Sequence, residues 1–312
     1  MEPRPSVSVV VASDYGGRTA DDWSYLRKTL RGLAAQDFDE PFEVLLVDAT
    51  PEDEVMPADV AAALPGLRVL HGTRDRSRVL LNDAVAQARA DVVALLDGDC
   101  APVPRWLRAG VAALRSRDDA VAVSGLTVYP GPGFRDRVLG ALSRGFIDPG
   151  GPGPTRFISN NNALVRRAAL LRHPLSSAYP RALAARMQTE AVRLEGGGLY
   201  FEPAMRVEHR FEGWPMERRL RHNVGYRAIR TRQLDPRLPH AWMVRLGALT
   251  IPTVLAARIV DSFRDCVRAG RHFGLRRLEL PAAFAAAVYV HLLEVRGMGK
   301  ALAEARMAEP PP

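Results

Sequence analysis

Short apolar segments alternate with amphipathic segments over about the first hundred residues, and this pattern constrains the fold more than any other feature. Residues 7–12 form an apolar, β-branched run that is typical of a buried parallel strand. Residues 21–35 follow with leucines at helical spacing, and Asp21 or Asp22 can cap this helix. Further strands are predicted at 42–47, 67–71 and 91–96, and further helices at 57–64 and 79–90. Such alternation predicts right-handed βαβ units, and therefore an α/β fold with a mostly parallel central sheet flanked by helices.

Polar residues stand at the carboxyl ends of three predicted strands. They are Ser13-Asp14-Tyr15, Asp48 and Asp97-Gly98-Asp99. Ligands bind beyond the carboxyl ends of the strands in open sheets of this kind. The coincidence predicts a ligand site at this edge of the sheet.

The pair Asp97 and Asp99 directly follows an apolar strand, with only Gly98 between the two carboxylates. In extended chain, residues i and i+2 project to the same side, so we expect both carboxylates to face one ligand. Carboxylate oxygens suit Mg²⁺ or Mn²⁺, which keeps water ligands and bridges to substrate phosphates. The alternative is a solvated turn, in which Asp and Gly are common. The position beside Asp48 favours the ligand site.

The charge balance is strongly basic, with 43 Lys and Arg against 35 Asp and Glu, a net charge of +8 and a pI near 10.0. Nucleic acid, anionic lipid and a phosphorylated small substrate would each explain this excess. A surface that uses arginine throughout is the simpler alternative. No nucleic-acid-binding motif or aromatic-interleaved basic pattern accompanies the charge, so we expect no nucleic-acid partner.

The two cysteines, Cys100 and Cys266, have no paired metal-ligand spacing, so neither a zinc site nor a disulfide framework is indicated. The amino terminus runs into the first strand without a charged leader or a cleavage-site pattern. We therefore expect a cytoplasmic protein.

The second half of the chain begins with elements of the same kind. We predict a strand at 120–128, helices at 106–115, 182–194 and from residue 166, and a strand at 199–201. The Pro/Gly-rich segment 130–154, with a short helix near 138–143, is expected to be a mobile loop or lid.

The last quarter differs in composition. Residues 216–232 are rich in arginine, and the apolar stretches 242–260 and 280–293 follow. Neither stretch reaches the roughly 20 apolar residues that a spanning helix needs. Amphipathic helices beside a basic segment suit an anionic membrane surface. We therefore predict two domains, 1–235 and a membrane-associating helical region 236–312.

Five segments, taken in order, resemble the inverting family 2 glycosyltransferases of the GT-A fold. They are VSVVVAS, FEVLLVDAT, LLNDAVAQARADVVALLDGDCAPVPRWL, ISNNNALVRRAAL and GGGLYFEPAMRVEHR. The carboxyl-terminal region also resembles the membrane-associating tail of some members. The resemblance implies a GT-A (Rossmann-like) fold and the metal-dependent transfer, with inversion, of a sugar from a nucleotide-sugar donor, UDP-linked, to an acceptor hydroxyl.

The resemblance also assigns residues to the donor. Asp48 is expected to contact the uracil or ribose, and Asp97 to lie near the ribose and sugar. Asn161, within three consecutive asparagines, matches a loop near the sugar and acceptor, although these amides could instead form a simple turn. Ser13 and Asn82 lie in matching segments and are assigned to the donor as well.

The metal is expected to be Mg²⁺ or Mn²⁺, held on the diphosphate by Asp99. His209 matches a histidine that lies near the metal or phosphate in relatives, and a histidine that merely ends a strand is the alternative. Cys100 is expected to be a small buried residue beside the site.

The catalytic base is where the sequence departs from the family. Inverting transfer needs a carboxylate to take the proton of the acceptor hydroxyl. Relatives place a Glu-Asp pair before the FEP-like strand, whereas this region reads ARMQTEAVRLEGGG. Glu190 is the nearest candidate and Glu195 the next, with an exposed helix carboxylate as the alternative for both. The segment GTRDRSRVLLND also lacks a glycine that is usual in relatives.

Two functional hypotheses remain open. In the first, the protein transfers a sugar to a lipid-linked or cell-envelope acceptor, as a peripheral enzyme at the inner face of the cell membrane. In the second, it is a catalytically degenerate protein that binds a nucleotide sugar or glycolipid, because the Glu-Asp pair is missing.

Overall fold

A computed structural model describes residues 4–13, 23–49, 56–72, 77–179, 181–209, 213–236, 238 and 240–308. The chain divides into two compact units. The sheet unit comprises Met1–Pro130 and Ile147–Arg210, and the helical unit comprises Gly131–Phe146 and Phe211–Pro312. Asp14, Tyr15, the predicted caps Asp21 and Asp22, and residues 73–76 of the glycine-lacking segment lie outside the described residues.

A nine-stranded sheet forms the centre of the sheet unit. Its strands are β1 (Val7–Ser13), β2 (Phe42–Asp48), β3 (Arg68–His71), β4 (Val92–Asp97), β5 (Cys100–Pro102), β6 (Ala120–Val128), β7 (Gly153–Pro154), β8 (Asn162–Arg166) and β9 (Gly198–His209). The spatial order is β3-β2-β1-β4-β8-β6-β9-β5, and β7 also pairs with β9. Strands β1, β2, β3, β4, β6 and β9 run in one direction, and β5, β7 and β8 run against their neighbours. Six of the nine strands are therefore parallel, as the sequence predicts.

Helices cover both faces of this sheet. They are α1 (Ser24–Ala34), α2 (Ala58–Ala61), α3 (Ser77–Gln87), α4 (Trp106–Arg115), α6 (Arg167–Arg172) and α7 (Arg181–Leu194). Val9 and Val11 belong to a core that also contains residues of α1, α2 and α4, whereas Val10 and Ala12 belong to a core with residues of α3, α6 and α7. Successive strand residues point to opposite faces, so a strand covered on both sides is apolar throughout. The βα pattern could therefore be recognised from the sequence.

Three strands of the sheet were not predicted from the sequence, and a fourth was predicted only in part. Strand β9 extends over 12 residues, whereas only 199–201 was predicted, and β5, β7 and β8 were not predicted. Burial along β9 is irregular, and its register against β6 shifts between Gly125 and Leu126. A period-two pattern is lost at such an irregularity, since the inward positions change parity.

The segment 130–154 contains more helix than the sequence suggested. Helix α5 spans Phe134–Arg144 and buries Val138, Leu139 and Leu142, so the centre of this segment is an ordered part of the helical unit. The helix predicted near 138–143 is therefore confirmed and extends over eleven residues, and the expectation of a loop is wrong only for its remaining residues. The Pro and Gly residues that suggested a loop flank the helix.

The rest of the helical unit is formed by four longer helices. They are α8 (Trp214–Leu234), α9 (Thr250–Ala269), α10 (Leu280–Leu292) and α11 (Val295–Ala308), with short 3₁₀ segments between them. Gly225 of α8 and Gly297 of α11 let these helices approach closely. A Cβ at Gly225 would lie 2.0 Å from the Glu294 carbonyl oxygen, and one at Gly297 would lie 1.9 Å from that of His222.

A group of charged side chains is buried among these helices. The Glu294 carboxylate accepts hydrogen bonds from Arg258 of α9 at 2.6 and 3.2 Å and lies 3.0 Å from His291 Nδ1. Burial opposes the ionisation of Glu294, but Arg258 and His291 outweigh it and hold its pKa at about 2. On α8, Arg221 is also buried and pairs with Glu217 at 2.6 Å. The arginines of 216–232 are therefore not all available to an external partner.

One helical stretch, Arg277–Ala305, is long and apolar enough to cross a membrane by length and composition alone. It spans 29 residues, and 28% of its most apolar window is buried within the protein. The apolar stretch 280–293 alone is too short to span a membrane, and the helical continuation through α11 is what lengthens it.

Candidate functional site

Three strands end side by side at the carboxyl edge of the sheet. In the registers of β1 with β2 and β4, Ser13 pairs with Asp48, and Ala12 pairs with Asp97. Ser13, Asp48 and Asp97 therefore lie in neighbouring strands at one edge, as the sequence predicts from their positions. Ser13 and Asp48 are both buried, and Asp48 Oδ2 lies 3.2 Å from Nδ1 of His71 at the end of β3.

The chain turns sharply after Asp97. Gly98 and Asp99 form a turn between β4 and β5, so the expected extended geometry, with both carboxylates on one side of a strand, is wrong. The Gly98 N–H donates to the Ala12 carbonyl at 2.8 Å, and the Gly98 carbonyl accepts from Thr29 Oγ1 at 2.9 Å. A Cβ at residue 98 would lie 3.2 Å from the Ala12 carbonyl oxygen. These contacts redirect the chain into β5.

Strand β5 places the thiol of Cys100 beside the Asp99 carboxylate and opposite the imidazole of His209. It pairs antiparallel with β9, and Cys100 lies directly opposite His209. Asp99 Oδ2 lies 3.0 Å from His209 Nε2, and the Cys100 Sγ lies 3.6 Å from Asp99 Oδ1. One donor atom from each of these three residues lies within 4.8 Å of the other two.

The chemistry of this cluster suits a divalent cation. A carboxylate, an imidazole and a thiol offer oxygen, nitrogen and sulfur, and imidazole favours transition metals over Mg²⁺. Asp99 is 4% exposed, and an edge-on contact with Tyr129, at 5.6 Å between ring centroids, supports the His209 ring. The geometry therefore brings together the two residues predicted to hold the metal.

Asn161 reaches this cluster from the loop before β8. Its Nδ2 lies 3.6 Å from Cys100 Sγ and 3.4 Å from Thr127 Oγ1, and its Oδ1 accepts from Ser159 Oγ at 2.6 Å. Asn162, in contrast, accepts from the Trp106 indole and donates to the Met205 carbonyl, so its amide holds the strands together.

Asn82 and Glu190 are held by other groups. The Asn82 amide donates to the Leu175 carbonyl and accepts from the Leu175 N–H, each at 2.9 Å. Glu190, 4% exposed on α7, pairs through one oxygen with Arg186 at 2.7 Å and through the other with Arg193 at 2.9 Å. The structure does not bring either side chain into the Asp99 cluster.

Three residues at the site were not predicted from the sequence to take part in it. Cys100 was expected only as a small neighbour, and Thr127 and His71 were not considered. Thr127 lies near the carboxyl end of β6 and His71 at that of β3, so the strand-end rule that singled out Asp48 applies to them too. Cys100 required the pairing of β5 with β9, which the sequence did not predict.

Comparison with known proteins identifies the family. The profile described as Glycosyl transferase family 2 matches residues 18–173, which is half of the chain. No curated protein sequence matches the chain.

Solved structures share the fold at low identity. The mannosyltransferase PcManGT from Pyrobaculum calidifontis, in complex with GDP-Man and Mn²⁺, has a TM-score of 0.60 and 16% identity, over 97% of this chain and 88% of that one. S. aureus TarS 1-349 has a TM-score of 0.51 and 14% identity, over 97% and 92% of the two chains. GalNAc-T7, solved with UDP, GalNAc and Mn²⁺, has a TM-score of 0.51 and 17% identity, over 69% of this chain and 46% of that one.

These neighbours have a GT-A architecture like that of the sheet unit, and the profile match covers the strands that carry Asp48, Asp97 and Asp99. The chain therefore belongs to glycosyl transferase family 2 and is a nucleotide-sugar-dependent glycosyltransferase.

Proposed function

We propose that the protein transfers a sugar from a UDP-linked donor to an acceptor hydroxyl, with inversion at the anomeric carbon and with a divalent metal. The observation that carries this proposal is the Asp99–His209 pair, 3.0 Å apart beside the ends of β1, β2 and β4. Neighbours of the same fold were solved with Mn²⁺ together with GDP-Man or UDP.

Asp99 and His209 would hold the metal, which supplies Lewis-acid stabilisation of the departing diphosphate. The imidazole and the nearby Cys100 thiol favour Mn²⁺ over Mg²⁺ among the two ions expected.

Donor recognition is assigned to the strand ends. Asp48 would bind the uracil or ribose, Asp97 the ribose and sugar, and Ser13 and Asn161 the adjacent donor groups. The burial of Asp48 and Asn161 supports these roles, since hydrogen bonds to a ligand are strongest where water is excluded. Asn82 would contribute to donor binding indirectly, by fixing the Leu175 segment through two hydrogen bonds to its backbone.

Glu190 is the proposed base, and its environment sets a condition on that role. Both carboxylate oxygens face arginines of α7, so at least one of these ion pairs must open before the carboxylate can accept a proton. This observation also favours a second candidate function, a degenerate protein that binds the donor without turnover.

The site of action is proposed to be the inner face of the cell membrane, with a lipid-linked or cell-envelope acceptor and with residues 236–312 as the membrane-associating region. The apolar composition of 280–293 supports this location.

The donor site is tested by Asp99→Asn. This change keeps the size of the side chain and removes the anionic metal ligand, so we expect Mn²⁺ affinity to fall at least about tenfold. The measurement is thermal shift with UDP-sugars, with and without Mn²⁺, since a bound donor stabilises the fold by mass action. Asp91→Asn, at an exposed carboxylate paired with Arg4, is the matched control.

The same experiment separates the two candidate functions. Metal-dependent donor binding with product formation supports transfer, and binding without turnover over a broad acceptor screen supports the degenerate protein. An Asp99→Asn protein that binds Mn²⁺ and donor as the wild type does would refute the metal assignment.

A further inference from the structure

Helix α10 exposes an apolar face to its surroundings. The segment LPAAFAAAVYVHL contains no Lys, Arg, Asp or Glu. One side of the helix is buried through Ala283, Ala287 and Val290. The other side carries Phe284, Tyr289 and Leu292, which are 43%, 44% and 53% exposed. A helix at a protein surface ordinarily has a polar outer face, so this second apolar face indicates a binding surface.

The apolar face continues onto helix α8. The ring of Trp214 contacts the ring of Tyr289 edge-on, with 6.0 Å between centroids. Trp214 and Met216 are themselves exposed in the first turn of α8. We call the surface formed by Trp214, Met216, Phe284, Tyr289 and Leu292 the docking face.

Exposed arginines border the docking face. Arg218 lies one helical turn after Trp214, and Arg219 follows it. At the other end, Arg276 and Arg277 precede α10 and are followed by Leu278, which is 95% exposed. Aromatic and aliphatic side chains bordered by arginine match a bilayer surface, where the rings enter the headgroup region and arginine meets anionic lipid.

The buried charges indicate that α10 lies on the bilayer and does not cross it. Glu294 lies two residues after the end of α10 and is bound to Arg258 of α9, and His291 within α10 is bound to Ser262 of α9. A span through Arg277–Ala305 would carry Glu294, Arg296 and Lys300 into hydrocarbon or break the bonds to α9. A helix lying in the plane of the interface keeps these bonds.

We propose that the docking face binds the surface of an anionic lipid bilayer, with α10 lying in the plane of the headgroups. This deepens the membrane location in the proposed function, but the binding itself requires neither donor nor metal. The two proposals can therefore fail separately.

The test is co-sedimentation of the full chain with vesicles of phosphatidylcholine alone and with added phosphatidylglycerol. Wild type is expected to bind the anionic vesicles. The triple variant Phe284→Ser/Tyr289→Ser/Leu292→Ser is expected to bind these vesicles at least about tenfold more weakly than wild type. The double variant Arg218→Glu/Arg219→Glu is expected to bind at least about tenfold more weakly on anionic vesicles only. The matched control is Leu171→Ser/Leu194→Ser, two leucines of the sheet unit that are also about half exposed.

The substituted side chains are partly exposed, and circular dichroism at the assay temperature checks that each variant is folded. Equal vesicle binding by the triple variant, or no binding by wild type, overturns the proposal. So does a wild-type dimer that the triple variant dissociates, because the face then joins two copies of the chain. UDP-sugar hydrolysis without vesicles is expected to be the same in all variants, and its absence in wild type would count against the UDP-linked donor and leave the bilayer proposal intact.

Discussion

At the scale of single residues, similar side chains at this sheet edge have different tasks. The Asn82 amide is bound by backbone groups of Leu175, the Asn162 amide by the Trp106 indole and the Met205 carbonyl, and the Asn161 amide by side chains that include Cys100 of the cluster. Amide chemistry alone cannot separate these cases, because each depends on which groups the fold places opposite the amide. The sequence could therefore nominate asparagines for the site but could not rank them.

The proposed base gives the first prediction at this scale. Glu190→Gln keeps the shape of the side chain and removes its ability to take a proton. If Glu190 is the base, we expect the transfer rate to fall about 10²–10⁴-fold, with donor affinity unchanged. Single-turnover transfer and donor titration measure the two quantities.

Glu195→Gln is the control, since Glu195 is a half-exposed carboxylate just beyond the end of the same helix. Its carboxylate pairs with His173 at 2.9 Å. Full transfer activity in Glu190→Gln would exclude Glu190 and direct attention to another proton acceptor.

At the scale of elements, the contact between α8 and α11 depends on glycine. The backbone of Glu294, immediately before α11, occupies the space that a side chain at residue 225 would need. We predict that Gly225→Ala lowers the free energy of unfolding by about 1–3 kcal/mol, because the two helices must separate to admit the methyl group. Urea denaturation followed by circular dichroism measures this change.

Gly299→Ala provides the matched comparison. Residue 299 is also a helical glycine, in α11, but a Cβ there meets nothing within 4 Å. Alanine should therefore stabilise the helix by about 0.5–1 kcal/mol. If both substitutions change the stability equally, close packing is not what distinguishes residue 225.

Elements were predictable where burial was regular. Strands β1, β2 and β4 are covered on both faces and read as apolar runs, and α4 and β6 have the predicted limits. Helix α8 was not predicted because its buried positions include Glu217 and Arg221, which satisfy each other and leave no apolar period. Short β5 and β7 depend on pairing with β9, a contact between distant parts of the chain.

At the scale of the whole molecule, stability should depend on pH through the buried group around Glu294. Its pKa is about 2 in the folded protein against an ordinary 4.5, so its contribution is complete above pH 4.5 and is lost as the pH falls towards 2. Burial also lowers the pKa of His291 from its ordinary 6.5. The unfolded chain therefore takes up this proton first, and stability begins to fall below about pH 6.5.

We predict that Glu294→Gln costs up to about 3 kcal/mol at neutral pH, since it removes the carboxylate that faces the buried Arg221 at 3.5 Å and the partly exposed Arg258 at 2.6 Å. The difference from wild type should shrink between pH 4.5 and 2. Urea unfolding at a series of pH values measures it. A difference that stays constant over this range would show that Glu294 is not ionised in the folded protein.

The fold class and the polar edge of the sheet were accessible from sequence, because they follow from the order of strands and from residues next to strand ends. The family was accessible from the resemblance of five segments. The cluster of Asp99, Cys100 and His209 could be predicted from the sequence only in part. Asp99 and His209 were named by resemblance, but their 3.0 Å contact results from a turn at Gly98 and a pairing of β5 with β9.

The helical unit is discontinuous along the chain, and this has a consequence for the order of synthesis. Helix α5 ends at residue 144, but the helix against which it packs, α9, ends at residue 269, which is 269 − 144 = 125 residues later. At about 5–20 residues per second, the ribosome needs roughly 6–25 s to supply that partner. Throughout this interval α5, with its apolar residues Val138, Leu139 and Leu142, lacks its contacts with α9. We therefore expect nascent α5 to be a binding site for a chaperone until α9 has been synthesised.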